Sequence, residues 1–127
     1  MSKDFESWHN LKIKIDTRIN PPSFQQQQIW WCNVGTNIGH EEDGKAPQFV
    51  RPVLIVRKFN AHIFLGVPLT TQVKTNPYYH KIIFKEKEQC AMLSQIRVWD
   101  SKRMINEMGK LSDSQFKELI NAIKNML

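Results

Sequence analysis

The stretch "RPVLIVRKF" at 51–59 constrains the fold more than any other part of the chain. Val53 to Val56 are aliphatic in succession, so a strand here has no polar face and must be covered on both sides. Pro52 removes a backbone donor and biases Arg51 toward extended backbone, which places the start of the strand. Asn60 and Ala61 separate this run from "HIFLGVPLT" (62–70), the tight connection of an antiparallel hairpin. "IWWCNV" (29–34), "YHKIIF" (79–84) and "CAMLSQIRV" (90–98) bring the expected strands to five. Short antiparallel strands do best by curling into a small barrel, which limits exposed edges.

Helices are expected at both ends, which makes the class α+β and mainly β. Phe5, Trp8, Leu11 and Ile15 recur at helical spacing within 3–15. "NPPSFQQQQ" (20–28) breaks that period with two prolines and reads as a linker. Residues 1–28 are therefore an appendage to a domain spanning 29–127. Near the other end, Asp100 or Ser101 can cap a short helix over "KRMINEM", closed by Gly109. The last segment, "LSDSQFKELINAIKNML", is a clearer helix. Ser112 and Gln115 suggest a capping box, Leu111 and Phe116 a hydrophobic staple. Phe116, Leu119, Ile120, Ile123 and Leu127 form its core-facing stripe.

Composition excludes several classes. With 127 residues, 41% of them hydrophobic, the chain suits one folded domain. It holds no run of about 18 apolar residues, so no membrane span is expected. "MSKDFESWHN" lacks the basic-then-apolar pattern of a secretory signal, which suggests a cytoplasmic protein. Cys32 and Cys90 form no CxxC and read as reduced core thiols. A net charge of +6 suits a polyanionic partner. Arg57, Lys58, Lys74, Lys81, Arg97, Lys102 and Arg103 are the cations that strands and late helices could offer it.

The chemistry gathers around Arg51. An arginine keeps its charge and presents a fork of donors that matches a phosphate; the same residue also fits a snorkelling strand end. The preceding loop, "GHEEDG", holds His40, Glu41, Glu42 and Asp43. An imidazole there suits proton transfer near neutral pH, and a solvated acidic loop is the plainer alternative. Its polar groups are consecutive and lack the i, i+4 histidine pair of a zinc helix. Thr70 and Thr71 end the third strand, where a hydroxyl can orient a reacting group or merely follow β-propensity. The chain has no GxGxxG, P-loop or GxSxG motif. One arginine, one histidine, carboxylates and hydroxyls suit metal-free RNA cleavage. The RNA's own 2′-OH is the nucleophile there, and the protein moves protons and stabilises charge.

In order, "IWWCNVG", "GHEEDG", "RPVLIV", "VPLTT", "LSQIR", "DSKRM" and the helix after "GKLS" resemble the MazF/PemK family of toxin–antitoxin endoribonucleases across 29–127. The resemblance implies an SH3-like antiparallel β-barrel with appended helices, usually a homodimer. It implies cleavage of single-stranded RNA at short motifs without metal or other cofactor, leaving a 2′,3′-cyclic phosphate and a 5′-OH. Arg51 matches the arginine that contacts the scissile phosphate, Thr70 the catalytic threonine, and His40 a histidine of PemK-like members. Gln95 and Arg97 match a strand beside the RNA groove. Glu41, Thr71 and Ser94 are expected RNA contacts with them. The implied partner is a cognate antitoxin with an acidic, disordered segment.

The chain departs from that pattern in three places. The loop before Arg51 is longer than in short members. PemK-like members carry an arginine and an aspartate where this chain has Met92 and Ser94. Residues 1–28 fall outside the short core. A CcdB-like topoisomerase poison and a non-catalytic RNA- or peptide-binding barrel stay open as other uses of such a fold.

Overall fold

The computed structural model describes residues 4–18, 22–35 and 50–127. In chain order these form α1 (Phe5–Asp16), β1 (Gln28–Asn33), β2 (Val50–Lys58), β3 (Ile63–Thr70), β4 (Tyr79–Phe84), β5 (Lys87–Met92), β6 (Arg97–Asp100), β7 (Met104–Lys110) and α2 (Asp113–Met126). The antiparallel sheet runs β4-β5-β3-β2-β1-β7, with β6 also paired to β3.

The continuous apolar run has the consequence expected of it. Leu54 and Val56 join one core cluster, while Val53 and Ile55 join another on the opposite face. The first cluster is closed by α2, which contributes Phe116 and Leu119 beside Ile29, Leu69, Ile82 and Leu93. The second holds Trp30, Phe64, Trp99 and Met104, and takes Phe24 from the supposed linker. Phe24 is 1% exposed and lies 5.3 Å from the Phe64 ring centroid. Lys58 Nζ donates to its carbonyl at 2.9 Å. The segment before β1 is therefore pinned, which the run of glutamines conceals.

Five expected strands become seven. The run 90–98 is not one strand. It splits into β5, a 3-10 turn at Leu93–Gln95, and β6. β5 pairs with Leu69 and Thr70, and β6 with Ile63 to Gly66, so the turn carries the chain along one edge of β3. No glycine or proline marks it. The Leu93 N–H fixes it by donating to Tyr78 O at 2.8 Å.

The helix expected over "KRMINEM" is a strand. Asp100 does cap, accepting from Lys102 N at 2.8 Å, but it caps a 3-10 turn at Ser101–Arg103. Met104 to Lys110 then pair with β1 as β7. Pairing with β1, whose other edge is already taken by β2, overrides a short and ambiguous apolar period. Gly109 ends no helix. Its φ of +147° is a glycine conformation, and a Cβ there would stand 2.9 Å from Phe84 Cζ. The two ends of the strand path, β4 and β7, thus meet through the Phe84 side chain. The strands curl into the expected small barrel, although the backbone ladder does not close.

At α2 the side chains depart from the capping box. The Ser112 side chain makes no cap bond to the helix backbone. Gln115 Nε2 donates to Ser112 Oγ at 3.1 Å and to Ile83 O at 2.9 Å, and its Oε1 accepts from Ile83 N at 2.7 Å. One side-chain amide thereby imitates a neighbouring strand on the outer edge of β4, where an unpaired edge invites association. Leu111 and Phe116 are both buried in the first cluster. Leu127, assigned to the core stripe from spacing, is 92% exposed.

Candidate functional site

The register of the central hairpin brings Arg51 and Thr70 together. β2 pairs Leu54 with Val67 and Val53 with Pro68. Continuing two residues further sets Arg51 opposite Thr70, on one face of the sheet by alternation. Pro52 and Pro68 cannot donate, which is why the β2–β3 ladder thins toward this end. Arg51 instead pairs with Cys32 on β1, and Val50 with Asn33.

Both residues line a cleft of about 160 Å³ at the strand ends, together with Thr71, Trp31, Lys87 and Gln89. Thr70 is 8% exposed, and its Oγ1 accepts from Gln72 N at 3.2 Å. That bond takes one lone pair and leaves the hydroxyl proton available to an anionic oxygen. Lys87, exposed at the cleft's edge, adds a positive charge. Gln89 adds an amide that is 6% exposed. Neither was legible as a site residue. They enter the cleft through the β4–β5 hairpin, whose corner residues Lys85 and Glu86 hold φ of 52° and 63°. With no Asn-Gly or Asp-Gly there, the turn carries no sequence signal.

The other expected contacts separate. Ser94 and Gln95 lie on the 3-10 turn after β5, with Ser94 exposed. Arg97 pairs with Gly66 on β3, and its guanidinium sits 3.9 Å from the Trp99 ring centroid. Gly66 is four residues from Thr70 on the same face, roughly 13 Å along the strand. None of the three lines the small cleft. His40 and Glu41 lie outside the described residues.

A larger cavity of about 430 Å³ lies between α1 and the turn at 101–103, lined by Trp8, His9, Lys12, Ile13, Lys102 and Arg103 among others. Its main cations hold backbone instead of facing a ligand. Lys102 Nζ donates to Asp16 O at 3.1 Å, and Arg103 Nη1 to Asn33 O at 3.1 Å and Val34 O at 3.4 Å. Chemistry therefore favours the smaller cleft. Burial pushes the Cys32 thiol far above its ordinary range. It stays a thiol, so the cysteine beside Arg51 is no nucleophile. Among the described residues, no group of three His, Cys, Asp or Glu side chains is placed to share a cation. None of the described helices is long and apolar enough to cross a membrane.

With this geometry in hand, the relatives fall into place. A family profile described as "PemK-like, MazF-like toxin of type II toxin-antitoxin system" matches residues 25–127. The sequence finds no significant match among curated proteins. Among solved structures, MazF from Deinococcus radiodurans is similar with a TM-score of 0.68 at 17% identity, over 85% of this chain and 97% of that one. A MazE–MazF structure from the same organism gives 0.62 at 15% identity, over 85% and 96%. A mycobacterial endoribonuclease in complex with its cognate antitoxin gives 0.60 at 15% identity, over 81% and 93%. At these identities the structures speak for the fold alone, the SH3-like antiparallel arrangement expected from the sequence.

Proposed function

Because the chain belongs to the PemK-like, MazF-like toxin family of type II toxin–antitoxin systems, we propose that it is an endoribonuclease that cuts single-stranded RNA and so arrests growth. The substrate's 2′-OH attacks the adjacent phosphorus. The 2′-O–P bond forms as the P–O5′ bond breaks, leaving a 2′,3′-cyclic phosphate and a 5′-OH. One proton leaves the 2′-OH and one reaches the departing 5′-oxygen. Arg51 and the Thr70 hydroxyl hold the phosphate oxygens, where negative charge grows in the transition state. His40 is the proposed proton carrier, the side chain suited to that task near neutral pH. Lys87, Thr71 and Gln89 contact the nucleotides on either side. The single observation that carries this reading is the convergence of Arg51 and Thr70 on one cleft.

No step of this route passes through a metal, so the purified protein should cut a single-stranded RNA in excess EDTA. The products should carry a cyclic phosphate, seen as resistance of the 3′ end to phosphatase. Complete loss with EDTA, restored by a divalent ion, sinks the route.

RNA binding should weaken with salt. Each phosphate neutralised on a single strand contributes about −0.7 to the slope of log K against log salt. Of the seven cations noted in the sequence, Lys58, Lys102 and Arg103 are tied to backbone carbonyls and Lys81 to Glu88. The other three of the seven, Arg57, Lys74 and Arg97, together with Arg51 and Lys87 of the cleft, are the proposed charges of the groove. A slope of about −2 to −3.5 is expected with an uncleavable RNA, as for three to five phosphates; a flat response rules out an electrostatic groove.

Two partners follow from family membership. The first is a second copy of the chain. The second is an antitoxin, as in the neighbours described with a cognate antitoxin or with MazE. A groove fitted to a phosphate chain also fits an acidic extended peptide. The proposed inhibitor is such a segment, folding as it covers Arg51.

A further inference from the structure

The site residue Arg51 is held unevenly. On the β3 side the paired register begins only at Val53, because two prolines interrupt it. On the β1 side Arg51 and Val50 pair with Cys32 and Asn33. The backbone of Arg51 is therefore held in the sheet through the end of β1. Yet β1 is itself irregular on its far edge, where its register with β7 shifts between Ile29 and Trp30 and again between Trp31 and Cys32.

The end of β1 is gripped from outside the sheet. Arg103 Nη1 donates to the carbonyls of Asn33 and Val34. Its guanidinium stands 5.7 Å from the centroid of the Trp8 ring, which belongs to α1. The same indole packs on Gly35, where a Cβ would overlap Cε2 and Cζ2. Gly35 also holds φ of +87°, so no other residue fits there without strain. Trp8 is 6% exposed, and with Ile15 and Leu11 it forms a small cluster separate from the two main cores. α1 is tied down at its far end as well, by Arg18 Nη1 to Lys102 O at 2.6 Å and Lys102 Nζ to Asp16 O.

We propose that α1 is a positioning element for catalysis: Trp8 and Arg103 clamp Asn33–Gly35, and through the β1–β2 register they fix Arg51 against the scissile phosphate. α1 lies outside the residues matched to the family, 25–127. The clamp is thus a device this chain adds to the shared domain. It accounts for a buried tryptophan, a glycine and a carbonyl-binding arginine converging on the strand end, where the second core cluster holds the Cys32 and Val34 side chains and Arg103 holds the carbonyls of Asn33 and Val34.

The test uses the full-length protein with Trp8→Ala, Trp8→Phe and Arg103→Lys. Amide hydrogen exchange is followed in every variant, beside single-turnover cleavage of a short RNA. In Trp8→Ala, exchange should speed up at Cys32 to Gly35 and at Val50 and Arg51, and stay unchanged in β4, β5 and α2. The maximal rate should fall about 10–100-fold, the scale for sub-ångström to ångström misplacement of a catalytic group, while half-saturation changes less than about two-fold. Trp8→Phe keeps an aromatic face on Gly35 and should recover most of both readings. Arg103→Lys keeps the charge but loses the planar fork, and should give intermediate values; it carries the test if the alanine variant does not stay folded. Faster exchange confined to residues 4–18, with Val50 and Arg51 unmoved, overturns the inference. So does a loss that appears only in half-saturation. The kinetic arm rests on the nuclease reading and the exchange arm does not. A wild-type protein that cuts no RNA therefore defeats that reading, while exchange at Arg51 still decides the clamp.

Discussion

Arg51→Ala should lower RNA cleavage about 10²–10⁴-fold and leave the protein folded. The magnitude is that of removing one charge stabiliser aimed at a developing oxyanion, or one proton-transfer partner. Folding survives because Arg51 is half-buried at a strand start and belongs to neither core cluster. Its neighbours Val53 and Leu54 are fully buried and keep β2 in place. Arg51→Lys should also be poor. An ammonium supplies the charge but not the paired donors that match two phosphate oxygens. Thr70→Val separates the partner's role. It preserves β-branched shape, loses the hydroxyl, and removes the acceptor that holds Gln72 N. The measurement is single-turnover cleavage beside a denaturant midpoint for each variant. An Arg51→Ala protein that cuts as fast as wild type ends the assignment. One that is inactive because it is unfolded shows that Arg51 serves the fold instead.

The sequence points to Arg51 and Thr70 as anchors of the proposed site and hides the residues that share their cleft, for a definite physical reason. Arg51 was legible because Pro52 and the four aliphatic residues after it mark a strand start. Thr70 was legible as the end of the paired run. Once the hairpin is drawn, register does the rest. Lys87 and Gln89 were not legible because "KEKEQC" reads as a polar connector, and its turn uses Lys85 and Glu86 at positive φ. β7 is not legible as a strand because a seven-residue segment with a few spaced apolar residues fits either period. Only the free edge of β1 decides it, and that edge is a tertiary fact. Phe24 was missed because a linker is recognised by what it lacks, whereas one aromatic residue is enough to pin it. By contrast the long apolar run and the amphipathic last helix are legible, since each carries its burial pattern in many consecutive residues, and only the frayed end of the stripe at Leu127 departs from it.

Trp99→Ala costs about 3–5 kcal/mol of folding stability, the range for truncating a large buried aromatic. Trp99 is 2% exposed and, among the described residues, heads the fully buried side chains by volume. Its Nε1 donates to Gly66 O at 3.1 Å. Gly66 has no side chain because a Cβ would stand 2.8 Å from Trp99 Cδ1, Phe64 Cε2 and Val53 Cγ1. Remove the indole, and the glycine opposite offers nothing to fill the space, so the cavity cannot collapse. Arg97 also loses the ring under its guanidinium, an interaction worth about 0.5–2 kcal/mol. Trp99→Phe restores a ring and part of the volume but not the donor. It should cost about 1–3 kcal/mol, set by the carbonyl left short of a partner and the unfilled half of the indole. Domains of this size are stable by about 5–15 kcal/mol, so Trp99→Ala should be near the edge of folding at 37 °C and Trp99→Phe well clear of it. Urea midpoints at unchanged slope measure both. Salt-dependent RNA binding then separates the two roles of the site. Trp99→Phe should keep the slope of wild type, because Arg97 still has an aromatic face to lie on. A Trp99→Ala protein less than about 1 kcal/mol weaker than wild type would mean that the second cluster is not a core. A Trp99→Phe protein of full stability whose salt slope falls by one phosphate would mean that Arg97 depends on the indole itself.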